Sequence, residues 1–387
     1  MNEDRAVRYH RLKRRARAGG VTVGAGLLVL SLASGASAWL RDAAGWLASA
    51  APVLARPWLT VALYVVVLFA AAEACALPVS AYHGFLLDRQ YGIGRQSFGG
   101  WLADSAKAAA VGLVLALGAS ALVYFALRLW PSWWWLPAAT ALTVVSAAIT
   151  FAAPVVLLPL FFQFEPLRRE TLRDRLLDLA SRAGTRVLGA YEWKLGAKSR
   201  AANAALVGLG RTRRIVVSDT LLAGYSDDEI EVILAHELAH HVHGDIRTTI
   251  LADAVLTCLA LLCGHLALRQ LGPLVGVRDV ADVAGLPILL LAAGTVSLVT
   301  LPIVNACSRR HERRADRFAL DLTRNPDAFA SAMRRLGAQN LAEEHPSRLV
   351  EWWFHSHPPL PQRIQAARAW AREPPGPPVA SPTAGAR

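Results

Sequence analysis

The chain has 387 residues, 54% of them hydrophobic, and 41 Lys and Arg against 29 Asp and Glu give a formal net charge of +12. Long apolar runs beside clustered positive charge exclude an ordinary soluble globule and point to an integral membrane protein. The arginines flank apolar segments and form no nucleic-acid motif, so the expected partner is a lipid bilayer and not nucleic acid.

In chain order, residues 1–20 read as a basic cytoplasmic N-terminal tail. The apolar run 21–40 is long for the core of a signal peptide, although Ala36-Ser37-Ala38 imitates a cleavage site. It is taken as an uncleaved first span. Further runs at 57–77, 107–127, 135–160, 249–271 and 284–306 each approach the ~20 residues a bilayer needs, about six spans in all. Spans one to four make a four-helix transmembrane region, 21–163, and the last two a helix pair, 249–306. Glu73 lies near the end of the second span with its role open between snorkelling and function. Pro154 and Pro159 are expected to kink or end the fourth span. Trp133, Trp134 and Trp135 read as an interfacial belt. Cys75, Cys258, Cys263 and Cys307 sit in or beside apolar segments without C-x-x-C spacing and read as small buried hydrophobes.

Lys and Arg placement sets the orientation. A cytoplasmic N-terminus puts the Arg89–Arg95 loop, region 164–248 and the Arg-rich region after 307 on one side, the cytoplasmic side of a bacterial cell membrane. The opposite loops carry only Arg41, Arg56, Arg128, Arg269 and Arg278. Region 164–248 starts with a helical pattern at 169–183, followed by strand-like runs at 191–195, 204–207 and 215–217. After the last span come helices at 308–322 and 326–336 within a second soluble part, 307–371. The tail 372–387, rich in Pro, Ala and Gly, is expected to be disordered.

The strongest signal for chemistry is His236-Glu237-Leu238-Ala239-His240. Two histidines four apart share one helical face, about 6 Å apart along the axis. Both can ligate one Zn²⁺, with the intervening Glu placed to act as a base on a water at the ion. Ser226-Asp227-Asp228-Glu229 forms a capping box, and Ile230, Ile233 and Leu234 supply the apolar stripe of a capped amphipathic helix. The motif therefore does not lie inside a spanning helix. His241 and His243 point to other faces. The bland reading is two solvated histidines beside a surface Glu.

A third ligand has to come from elsewhere. Glu312 and Asp316, four apart, share a face of the helix after the last span, among Arg309, Arg310, Arg313, Arg314 and Arg317. They read equally as a salt-bridged surface helix or as a third ligand, Glu312, with Asp316 accepting a ligand histidine's ring N–H.

Four blocks of the chain resemble the type I zinc-dependent CAAX prenyl endopeptidases, a family of membrane gluzincins. They are Pro78-x-x-x-Tyr82-x-x-Phe85 through Tyr91-Gly92 and Gln96 to Trp101-x-x-Asp104-x-x-Lys107; Pro154 to Leu167; Ser199 and Asn203 through Asp219-Thr220-Leu221 to the His236 motif; and Ser308-Arg309-Arg310-x-Glu312-x-x-x-Asp316, then Ser356-His357-Pro358 and Arg363. The resemblance implies one Zn²⁺ per chain held by His236, His240 and Glu312. Glu237 would be the general base and proton shuttle, and Asp316 would support a ligand. Asn203 would lie beside a substrate-binding strand, and His357 and Arg363 would bind substrate or stabilise the oxyanion. Read without the resemblance, Asn203 is a turn residue, His357 a helix cap and Arg363 a surface ion pair.

Two features depart from the family: Ala239 stands where Gly is usual, and six spans are counted where eukaryotic members have seven. The expected fold is thus mostly α: a polytopic membrane protein with about six transmembrane helices and a cytoplasmic zincin-like α+β metallopeptidase domain. The expected function is zinc-dependent hydrolysis of peptide or membrane-protein substrates, prenylated ones included. The alternatives are a membrane-protein quality-control protease of the heat-shock type and a non-catalytic sensor or scaffold.

Overall fold

The structure is a computed structural model and describes residues 4–208 and 210–373. Helix α1 runs Arg5–Ala33, and Gly35, at φ +75°, turns the chain into the short α2, Ala36–Ala48. The expected N-terminal tail is therefore helical from Arg5 onward and continuous with the first span, which ends at Ala33 and not at residue 40. Helix α3 spans Arg56–Ser80, then passes through a π-helical turn at Ala81–Leu86 to a last turn at Leu87–Gln90. Next come α4, Phe98–Leu129, and α5, Trp135–Val156. Pro154 is accommodated within α5, and the helix stops at Leu157, before Pro159 opens a short turn at Leu158–Phe161.

The soluble part begins with strand β1, Phe164–Pro166, which the sequence pattern missed, and helix α6, Glu170–Arg182. Strands β2, Ala190–Trp193, β3, Ala204–Val207, and β4, Arg214–Ser218, follow within about two residues of expectation. Helix α7, Asp219–Gly224, leads to α8, Asp227–Val242, which carries the histidine motif. Both capping-box bonds form: Ser226 N donates to Glu229 Oε2 at 2.9 Å, and Glu229 N to Ser226 Oγ at 3.3 Å. Gly244, at φ +69°, takes the left-handed conformation that a residue without Cβ adopts freely, and α9, Asp245–Leu271, starts at once.

Helix α10 runs Leu286–Thr323 as one 38-residue helix, so the expected helix at 308–322 is the uninterrupted continuation of the last span. Its polar positions Asn305, Arg309, Glu312 and Asp316 recur at helical spacing and are all buried. Helices α11, Pro326–Gln339, α12, Arg348–Phe354, and α13, Leu360–Trp370, complete the fold. The expected disordered tail lies outside the described residues from 374 on, while Glu373 pairs with Arg317.

Among the described residues, six helices are long and apolar enough to cross a membrane: α1, α3, α4, α5, α9 and α10. Packing runs α1 to α3, α3 to α4, α4 to α5, α5 to α9, α9 to α10, and α10 back to α1, a closed ring. At most 28% of any span's most apolar window is buried within the protein, so the spans turn most of their surface outward or into the ring. The rims have their own clamps. Away from the soluble part, buried Arg41 of α2 pairs with Asp282 at 2.6 Å. Trp134 is fully buried, donating from Nε1 to His265 Nδ1 at 3.0 Å, while Trp133 is exposed. Cys75 and Cys307 are likewise exposed, contrary to expectation, because spans that bury so little of their surface leave small residues uncovered.

The four strands form one sheet in the order β1-β2-β4-β3, with β2 and β4 parallel and the outer pairs antiparallel. Strand β3 is an edge. The soluble core gathers Leu172, Leu176 and Leu179 of α6, Ile215 and Val217 of β4, Ile230, Leu234 and Leu238 of α8, and Phe329 and Met333 of α11. The apolar face of α8 is thus fixed inside this core, which sets the direction of the histidine motif. We expect Ser226→Ala to destabilise the soluble part by about 1 kcal/mol, the usual worth of an N-cap, read as a lower denaturation midpoint.

Candidate metal centre and active site

Helix α8 presents His236 and His240 with ring centroids 5.0 Å apart and planes at 86°. Glu312 arrives from α10, its Oε2 3.3 Å from His236 Nε2 and its Oε1 3.5 Å from His240 Nε2. One donor atom from each of the three residues lies within 4.8 Å of the others. His357 Nδ1 is 2.7 Å from Glu312 Oε2, yet that buried oxygen has no well-aligned hydrogen bond.

The far side of each imidazole is also held. His236 Nδ1 is 2.9 Å from Asp316 Oδ1, and His240 Nδ1 is 2.8 Å from Asp245 Oδ2. These contacts fix the tautomers and leave both Nε2 atoms facing Glu312. Asp245, the first residue of α9, is buried and also pairs with Arg314. Sequence reasoning passed over it. Its signal was the position just beyond the helix-ending Gly244, which turns the next helix back toward His240.

Burial lowers the proton affinity of His236, but Asp316 and Glu312 outweigh it and raise the pKa to about 9. The same surrounding negative charge favours a divalent cation. Two imidazoles and one carboxylate, whose buried Oε2 has no aligned hydrogen bond, fit an ion that prefers tetrahedral N and O ligands with one position open. Burial raises the pKa of Glu237, which suits a group that must take up a proton and return it.

Glu237 shares one cavity of about 660 Å³ with His236, Glu312, His357, Arg363 and Asn203. Arg363 lines the cavity with its guanidinium tied to Asp316. Its Nε and Nη2 donate to the two Asp316 oxygens at 2.8 and 2.5 Å, and Nη2 is 3.4 Å from His236 Nδ1. This nearly buried pair locks Asp316, and removing one partner would cost about 3–5 kcal/mol by leaving a charge uncompensated. Exposed Asn203 immediately precedes β3, its backbone tied to Ser218 of β4. Half-buried His241 has its Nε2 3.1 Å from Leu206 O, joining α8 to the edge strand. Since Asn203 pairs with β4, the alternation of an antiparallel ladder turns the backbone groups of Ala204 and Leu206 to the open edge. His243 packs edge-on against Phe318. Glu73 is exposed on α3, outside the site.

The first helix forms a wall of the same cavity. His10, Lys13, Arg14 and Arg17, on one helical face, line it together with His236 and Glu237. Nothing local in the sequence signals this: His10 and Arg14 find Leu341 and Glu343 more than 300 residues away.

Comparison with known proteins agrees with this geometry. Residues 166–371 match the model of peptidase family M48, and residues 3–163 match a model described as CAAX prenyl protease N-terminal, five membrane helices. The described residues of that stretch hold four candidate spans and the 13-residue α2, too short to span a bilayer. The chain is 29% identical over 349 residues to the uncharacterized metalloprotease YhfN of Bacillus subtilis, covering 88% of this chain and 79% of the relative. It is 25% identical over 333 residues to the human CAAX prenyl protease 1 homolog, covering 76% and 70%. The crystal structure of S. mikatae Ste24p has the same fold, with a TM-score of 0.83 at 21% identity over 94% of this chain and 88% of that one.

We expect Asp245→Ala to weaken divalent-ion affinity about 10- to 100-fold, the usual cost of losing a ligand histidine's partner, measured by metal titration of the purified protein.

Proposed function

The chain belongs to peptidase family M48 and is an integral membrane metalloendopeptidase, and on that premise we propose how its residues divide the work. His236, His240 and Glu312 hold one zinc ion. The observation that carries this is the meeting of their donor atoms within 4.8 Å beside Glu237. Asp316 and Asp245 orient the two histidines. Arg363 acts through Asp316, which occupies its guanidinium. When bound, the ion supplies Lewis-acid polarisation and lowers the pKa of a water toward ~7.

Everything else falls to the chain. An extended peptide adds to the open edge of β3 at Ala204, beside Asn203. Leu206 offers less, because His241 already occupies its carbonyl. Glu237 accepts a proton from the attacking water and delivers it to the leaving amine. His357, exposed and 2.7 Å from Glu312, hydrogen-bonds the carbonyl oxygen as charge builds there. The walls around Glu237 limit bulk water and strengthen these contacts.

The domain organisation we propose is a ring of spans carrying two soluble stretches, 164–248 and 307–371, on the cytoplasmic face of a bacterial membrane. The Lys and Arg distribution supports that side, and the Bacillus subtilis relative supports a bacterial setting. The substrate class is a peptide or membrane protein. Relatives named CAAX prenyl protease support a prenylated C-terminal segment.

The test compares cleavage of a farnesylated peptide, its unprenylated twin and an unfolded membrane protein. Faster cleavage of the farnesylated peptide is expected; indifference to the lipid would favour quality control. Glu237→Gln should keep its metal and lose at least about 100-fold in kcat, the scale of a lost general base. Undiminished turnover in that variant rejects Glu237 as the base.

A further inference from the structure

The His355-Ser356-His357 segment is held from two sides by two different spans. From α10, Asn305 Nδ2 donates to Trp353 O at 2.7 Å, and Arg309 Nη1 donates to His355 O at 2.6 Å and Glu351 O at 3.1 Å. These contacts fix the backbone just before His357. From α1, Arg14 binds buried Glu343 with both terminal nitrogens, and Glu343 Oε2 is 3.5 Å from His355 Nε2. One turn earlier, His10 Nε2 donates to Leu341 O at 2.7 Å, anchoring the loop that carries Glu343. Tyr9 and Lys13 fasten the same part of α1 to Asp88.

We propose that Arg14 and Glu343 are positioning residues for the reaction, setting His357 against Glu312 by bracing the His355 ring from the first helix. The proposal rests on the metallopeptidase reading but concerns different residues. Three observations carry it. Glu343 is a buried carboxylate whose side chain is only 5% exposed, and a buried charge is tolerated where it is paired. Its pair is Arg14 of α1, so the loop can hold its place only while α1 stays in register. His357 has a side chain 62% exposed and touches Glu312, so it lacks packing of its own and depends on its neighbours for direction. Helices α1 and α10 are neighbours where the ring closes, so a shift between them would move the two braces of this segment relative to each other.

The experiment uses the full-length protein in detergent and a double-mutant cycle. Arg14→Ala and Glu343→Gln should each lower kcat about ten-fold or more, with KM and bound metal changed less than about two-fold, since small displacements of a catalytic group cost this much. In a His357→Ala background the same substitutions should cost less than about two-fold, because the group they position is gone. Arg14→Lys, which keeps the charge, should recover part of the loss. Equal losses with and without His357, loss of metal in parallel with activity, or full activity in both single variants would overturn the proposal. Should Arg14→Ala fail to accumulate, Glu343→Asp carries the same cycle, since it keeps the charge and shortens the reach. Activity retained in Glu237→Gln would instead overturn the metallopeptidase mechanism, so the two failures are distinct.

Discussion

A carboxylate carried on the end of a membrane span governs this structure. Glu312 stands on the buried face of a 38-residue helix, in line with Asn305, Arg309 and Asp316. Together the four hold three pieces of the protein: Asn305 and Arg309 the backbone before His357, Glu312 the two histidines of α8, and Asp316 the His236 ring and Arg363. Burying such a row is costly unless every member finds its partner. The soluble part therefore has to close onto α10 in one arrangement, and that arrangement is the site.

The membrane part does more than anchor. Helix α8 ends at Val242 and the chain turns through Gly244 straight into α9, so the residue that pairs with His240 is the first of a span. Glu312 continues another span, and the first helix contributes a wall and a brace. Three of the six spans thus reach the chemistry directly, and the ring sets the distances among them. Such dependence on rigid elements suits a centre whose ligands must converge to within fractions of an ångström.

Much of this was legible in the sequence because its causes are local. The histidine motif, the Ser226 capping box and the apolar stripe of α8 are periodic signals that one helix satisfies by itself. The strand-like runs mark their own positions, although their order in the sheet is not readable, since it depends on pairing between distant segments. Glu312 and Asp316 could be singled out by spacing, yet only the fold decides between a salt-bridged surface and a ligand face. The basic segment looked like a tail because charge near an N-terminus is the ordinary signature of membrane orientation. Its second use, facing Glu343 and Leu341, depends on contacts that no local pattern encodes. Arg363 was assigned by resemblance to the substrate or the oxyanion; that two of its nitrogens also hold Asp316 is a contact no spacing shows.

The central claim is that two imidazoles and one carboxylate from separate helices bind a single catalytic ion. X-ray absorption spectroscopy at the zinc edge, on the protein purified without added metal, tests it most directly. The account predicts one zinc per chain with nitrogen and oxygen donors only, at about 2.0–2.2 Å, two of them imidazoles. Sulfur in the coordination shell, or an ion-free protein that still hydrolyses peptides, would contradict it.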